Sequence, residues 1–190
     1  MTRSVVHLGS LAAVRKLGVL VDAFAIVAKE RADVTFTFVG DGDVPFERAN
    51  LEKYAAALGI KDKVTFTGQL PHVEALEHVR NAAVCVCPVM PTMALRVASP
   101  TKLVEYLAMG KPTVANDHPE HTSIAALSGN GLIICDWAPE SFATGIIWCL
   151  DFPDAAQRMA ERGRKWVWEN RTYDKIADTV FAKLNEVIKK

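Results

Sequence analysis

Short β-branched runs alternate with longer amphipathic stretches along most of this chain, and that alternation constrains the fold more than any other feature. Residues 5–8, 34–39, 64–67, 83–87, 113–115 and 132–135 have the length and residue types of buried strands. Between them, apolar spacing predicts helices over about 14–29, 46–58, 72–81, 101–109 and 120–127. In the first of these, Leu17, Leu20, Val21, Phe24 and Val27 form one stripe. Parallel strands need crossover connections, so strands separated by helices predict a parallel sheet covered on both faces. After Cys135 the strands stop, and 139–190 reads as two or three consecutive helices. The expected fold is α/β, a doubly wound, Rossmann-like parallel sheet of about six strands over 1–137 with a helical tail over 138–190. No repeat, low-complexity segment or long linker divides the 190 residues, so they read as a single domain.

Composition narrows the function classes. Half the residues are hydrophobic, enough for a sizeable core, and 22 basic residues balance 22 acidic ones. That balance argues against a nucleic-acid binder relying on bulk phosphate attraction. No stretch approaches the roughly 20 apolar residues of a membrane span. The chain enters a strand-like run directly after Met1-Thr2-Arg3-Ser4, so no signal peptide is expected. Cys85, Cys87, Cys135 and Cys149 show no CxxC pairing and read as reduced core residues of a cytoplasmic protein.

Doubly wound sheets bind ligands outside the carboxyl ends of their strands. The loops that matter are therefore 9–14, 40–45, 68–71, 88–100 and 116–119. The most informative run follows the fourth strand and reads Ser99-Pro-Thr-Lys-Leu-Val-Glu-Tyr-Leu-Ala-Met-Gly-Lys-Pro112. Ser99 suits an N-cap, Pro100 the first helical position, Gly110 a left-handed stop and Pro112 the break beyond it. Free N–H groups at such a helix start, together with the positive end of its dipole, suit a phosphate. Lys102 in the first turn is unfavourable beside that dipole unless an anion binds nearby. Glu105, one turn on, has the acceptor oxygens to hold vicinal ribose hydroxyls. Without a ligand the same run is an ordinary capped helix with two solvated charges.

The remaining loops carry weaker signals. Gly9-Ser10-Leu11 turns the first strand toward Arg15 and Lys16, where a cation would reach a diphosphate across the cleft. Gly40-Asp41-Gly42 lacks the G-x-G-x-x-G spacing, so NAD has little support. Gly68-Gln69-Leu70-Pro71 is a tight turn whose amides would suit a base edge. His7 lies in a strand, in the core or at a sheet edge, while His72 and His78 fall on a surface helix. His118-Pro119-Glu120-His121 has no third ligand for a metal, and its loop faces the cleft. Trp137, Trp148, Trp166 and Trp168 read as packing residues of the tail.

Taken together, 9–15, 20–24, 38–42, 58–68 and 99–114 resemble the C-terminal, donor-binding domain of the retaining GT-B glycosyltransferases, known as group 1 or family four. The resemblance implies half of a GT-B fold. It also implies transfer of a sugar from a nucleoside-diphosphate sugar, such as a UDP- or GDP-sugar, in polysaccharide or glycoconjugate assembly. Lys102 and Arg15 would then face the diphosphate as the charge-stabilising catalytic groups. Gly9, Ser10, Ser99 and Thr101 would line the diphosphate site, Gly68 and Leu70 the base loop, and Glu105 would hold the ribose. Members of the family generally need no metal or cofactor in this site. Four positions depart from the family pattern. Val97 stands where the first glutamate of Glu-x7-Glu would fall, Ser10 where many members carry arginine, and Arg15-Lys16 where Lys-Gly is usual.

A complete GT-B enzyme has two such domains, and its acceptor-binding N-terminal domain is absent from this sequence. The chain is expected to be a fragment, or half of an enzyme completed by a partner chain, and inactive in isolation. Any peripheral association with the inner face of the membrane would run through the missing half. Two other readings remain: a nucleotide-binding scaffold with a decayed site, and half of a sugar-nucleotide epimerase.

Overall fold

In the computed structural model, which describes residues 3–188, six strands form one parallel sheet. They are β1 (Arg3–Leu8), β2 (Val34–Val39), β3 (Val64–Phe66), β4 (Val84–Cys87), β5 (Thr113–Asn116) and β6 (Ile133–Cys135). Their spatial order is β3-β2-β1-β4-β5-β6. Val5 lies opposite Phe36 on one side and Val84 on the other, so the strand order reverses at β1. Eight α-helices lie among the described residues: α1 (Gly18–Glu30), α2 (Pro45–Ala57), α3 (His72–Asn81), α4 (Thr101–Ala108), α5 (Pro119–Leu127), α6 (Pro139–Asp151), α7 (Pro153–Asn170) and α8 (Tyr173–Ile188). No described helix is long and apolar enough to cross a membrane.

Strand alternation sends side chains to two cores. Val5, Phe36, Phe38, Val84, Val86 and Val114 meet α1, α2 and α6. Val6, Val39, Cys85, Cys87 and Ala115 meet α3, α4 and α5. On the first face Phe24, Phe36, Phe38 and Phe66 form a chain of rings with centroids 4.8–4.9 Å apart. Removing one of the buried rings would cost roughly 3–5 kcal/mol. All four cysteines are free, and burial pushes the thiols of Cys85, Cys87, Cys135 and Cys149 to about 12 or higher.

Two local expectations are corrected. The first helix does not begin near Val14: Ala13–Arg15 form a 3-10 turn, and Lys16 takes φ 51°, in the left-handed region. Val14 is exposed, and the helix starts only where Leu17 and Leu20 begin the buried stripe. Nor does Ser99 cap α4. Pro100 is the N-cap, with no side-chain hydrogen bond, and Ser99 Oγ instead donates to Glu120 Oε1 at 3.0 Å. Gly110 does close the helix, with φ 66°.

Candidate functional site at the carboxyl edge of the sheet

The loop after β1 separates two cavities at the carboxyl edge. On the β4 side lies a cavity of 370 Å³ whose lining includes His7, Gly9, Ser10, Arg15, Thr101 and Lys102. On the β2 side lies one of 310 Å³ whose lining includes Gly9, Ser10, Asp41, Gln69 and Leu70. Both sit at the point where the strand order reverses, as expected for a doubly wound fold.

Two features make the first cavity suited to an anion, and a third adds a buried acceptor beside it. The first turn of α4 has no side-chain cap, so its amide groups remain for a ligand. The Lys102 side chain runs back against Gly9, where a Cβ would stand 2.5 Å from Nζ. Gly9 has φ 139°, so both the backbone conformation and this approach require glycine. Burial lowers the Lys102 pKa; nearby Cys87 and Glu105 raise it, and Arg15 lowers it.

His7 supplies the third feature. It lies on a central strand, not at the sheet edge, and is 1% exposed. A carbonyl only accepts, so the 3.2 Å contact with Val86 O places the proton on Nδ1. Nε2 is left as a buried lone pair without a partner among the described residues. Burial, then the charges of Lys102 and Arg15, hold the His7 pKa well below its usual value. The imidazole is therefore neutral, and it lines the same cavity as the two cations.

The second cavity is built from loops that sequence spacing did not connect. Glu47 Oε1 accepts from Ala13 N at 2.6 Å, while Oε2 accepts from Asp43 N at 2.7 Å and Val44 N at 3.2 Å. One carboxylate thus ties the loop after β1 to the loop after β2, and these bonds, with Ala13 foremost, lower its pKa. Arg48 pairs with Asp41 at 2.9 Å beside Gly68. Leu70 is half-buried and packs against the second core.

Glu105 lies three residues along α4 from Lys102. Its Oε1 accepts from His72 Nε2 at 2.9 Å. This pair joins the start of α3 to α4 and was not legible from 33 residues of separation. Val97 is 91% exposed on the loop that precedes α4.

Other polar residues build the frame. Tyr106 Oη accepts from Leu8 N at 2.7 Å, fixing α4 to the end of β1. Asn116 clamps Val89 with two bonds of 2.7 and 2.9 Å. His118 caps α5 by accepting from Glu120 N, and its Nε2 donates to Leu95 O at 2.8 Å. His121 does not face the cleft: it is fully buried, its Nδ1 donates to Asn116 O at 2.9 Å, and its Nε2 lies 3.8 Å from Cys87 Sγ. No group of three or more metal-ligating side chains occurs among the described residues.

Comparison with known proteins fits this geometry. Residues 2–151 match the family model of glycosyl transferases group 1, and the chain belongs to that family. The α-D-kanosaminyltransferase of Streptomyces kanamyceticus is 26% identical over 164 residues, covering 83% of this chain and 39% of the relative. Among solved structures, HepE of Anabaena, in complex with UDP and glucose, superposes with a TM-score of 0.81 at 18% identity. That match covers 97% of this chain and 48% of HepE. The C-terminal domain of a group 1 glycosyl transferase, LpcC of Francisella tularensis, gives 0.75 at 14% identity, covering 90% of this chain and 87% of that one. The fold is that of one half of a GT-B glycosyltransferase, and the chain spans about half the length of HepE.

Proposed function

We propose that this chain is the donor-binding half of a retaining glycosyltransferase that transfers a sugar from a nucleoside-diphosphate sugar during polysaccharide or glycoconjugate assembly. The observation that carries the reading is the cluster in the 370 Å³ cavity: the uncapped start of α4, Lys102 and Arg15. Two cations facing an uncapped helix start with no carboxylate in the cavity lining are suited to a diphosphate.

As the glycosidic bond breaks, negative charge grows on the β-phosphate oxygen. The amides of Thr101 and Lys102, with the Lys102 ammonium and Arg15, stabilise that charge without a metal. Gly9, Ser10 and Ser99 shape the floor, Glu105 receives the ribose hydroxyls, and the Gly68–Leu70 turn borders the base. The acceptor would be held by a second domain or partner chain, without which the domain turns over no substrate. An enzyme of this kind works on the cytoplasmic side, where nucleotide sugars are made.

Thermal unfolding with UDP, GDP, ADP and their sugar conjugates tests the reading. A ligand at a hundred times its Kd adds about 2.7 kcal/mol of stability. One diphosphate is expected to raise Tm in the wild type and not in Lys102→Ala, whose ligand-free Tm stays at or above the wild-type value. In the completed enzyme the same change should lower turnover about a hundredfold or more. A shift that survives Lys102→Ala, or no shift with any nucleotide, would sink the donor assignment.

A further inference from the structure

We propose that His72 is a positioning residue for ribose recognition, holding the Glu105 carboxylate ready for the vicinal hydroxyls and away from Lys102. The proposal rests on the donor-binding reading above. His72 opens α3 directly after the Gly68–Pro71 turn, and its ring reaches α4 to donate from Nε2 to Glu105 Oε1 at 2.9 Å. The loop bordering the base cavity is thereby joined to the carboxylate on the neighbouring helix.

Two physical points favour positioning over mere stability. First, the His72 side chain is 65% exposed and Glu105 30%, and a polar contact so open to water adds little to folding. A carboxylate has about four lone-pair sites, so one bond to His72 leaves room for two hydroxyls. Second, Glu105 is the carboxylate close enough to Lys102 to act on its charge. An untethered glutamate would have the freedom to turn toward that ammonium and neutralise the cation meant for phosphate. The bond to His72 commits the carboxylate elsewhere, and no ion pair of Lys102 occurs among the described residues.

The test is titration calorimetry on the 190-residue chain with UDP, GDP and ADP, each beside its 2′-deoxy counterpart. The wild type is expected to prefer the ribose form of the nucleotide it binds. His72→Ala should weaken that form about threefold to tenfold, the cost of immobilising one flexible side chain, while the 2′-deoxy form changes little. His72→Gln, whose amide N–H donates to the same oxygen, should restore the preference. In a Glu105→Ala background, His72→Ala should change neither form. Equal weakening of both forms, no weakening, or tighter binding in His72→Ala would overturn the role of His72 while leaving the donor site intact. A wild type that binds none of the diphosphates overturns the donor reading, and this inference with it.

Discussion

His7 and His121 are buried where each can bond only as a neutral ring, and the consequence is a prediction about acid stability. Desolvation lowers the His121 pKa to about 4 and holds that of His7 well below 6.5. In the unfolded chain both titrate near 6.5. Below that value the unfolded state takes up protons that the folded state refuses, so stability falls as pH falls and is fully present above about 6.5. Two such groups give a slope of roughly 2.4 kcal/mol per pH unit near pH 5.5. Urea midpoints between pH 7 and 5 should show this fall, and His121→Gln should halve the slope. An unchanged slope in that variant would mean that His121 takes its proton without unfolding. These titrations were not legible from sequence, because the burial of both rings depends on neighbours such as Val86, Asn116 and Cys87, which are far along the chain or on other strands.

Elements were easier to read than their ends and their mutual contacts. The strand runs and apolar stripes placed every strand and the five helices between them to within a few residues, because period and burial are local facts of sequence. Cap chemistry failed at Ser99: its hydroxyl had a better acceptor in Glu120, which also pairs with Arg171 at the α7–α8 junction. The start of α1 moved because Lys16 holds a left-handed conformation that interrupts the helix before Gly18. Close packing between elements was hidden as well. Gly163, in the middle of α7, looks like a helix-weakening residue, yet a Cβ there would stand 2.8 Å from Gly131 O and 2.8 Å from a Leu107 methyl. Helix α7 thus reaches both the loop before β6 and the buried face of α4. Gly163→Ala, normally helix-stabilising, should instead destabilise by about 1–3 kcal/mol through overpacking. Chemical denaturation measures this, and a gain in stability would show that the contact yields at no cost. If α4 carries the phosphate-facing turn as proposed, the same variant should also weaken nucleoside-diphosphate binding.

For the whole molecule, the unfinished part is α8. No residue of this helix is buried, although Ile176, Val180, Leu184 and Val187 recur along one stripe and Phe181 is 68% exposed. Amphipathic helices form to cover an apolar face, and in isolation sixteen residues are only marginally helical. Together with a chain that spans about half of HepE, the bare stripe fits the proposed acceptor domain as its cover. Two outcomes follow. Ending the chain after Thr172 should leave the cooperative unfolding of the sheet domain nearly unchanged, since no buried contact is lost. In hydrogen exchange, α8 amides of the 190-residue chain should exchange far faster than those of α4 or α7. Supplying the acceptor domain should slow α8 selectively. If α8 were already protected in the isolated chain, its stripe would have found a different cover, such as a second copy. The concentration dependence of that protection would then identify the copy.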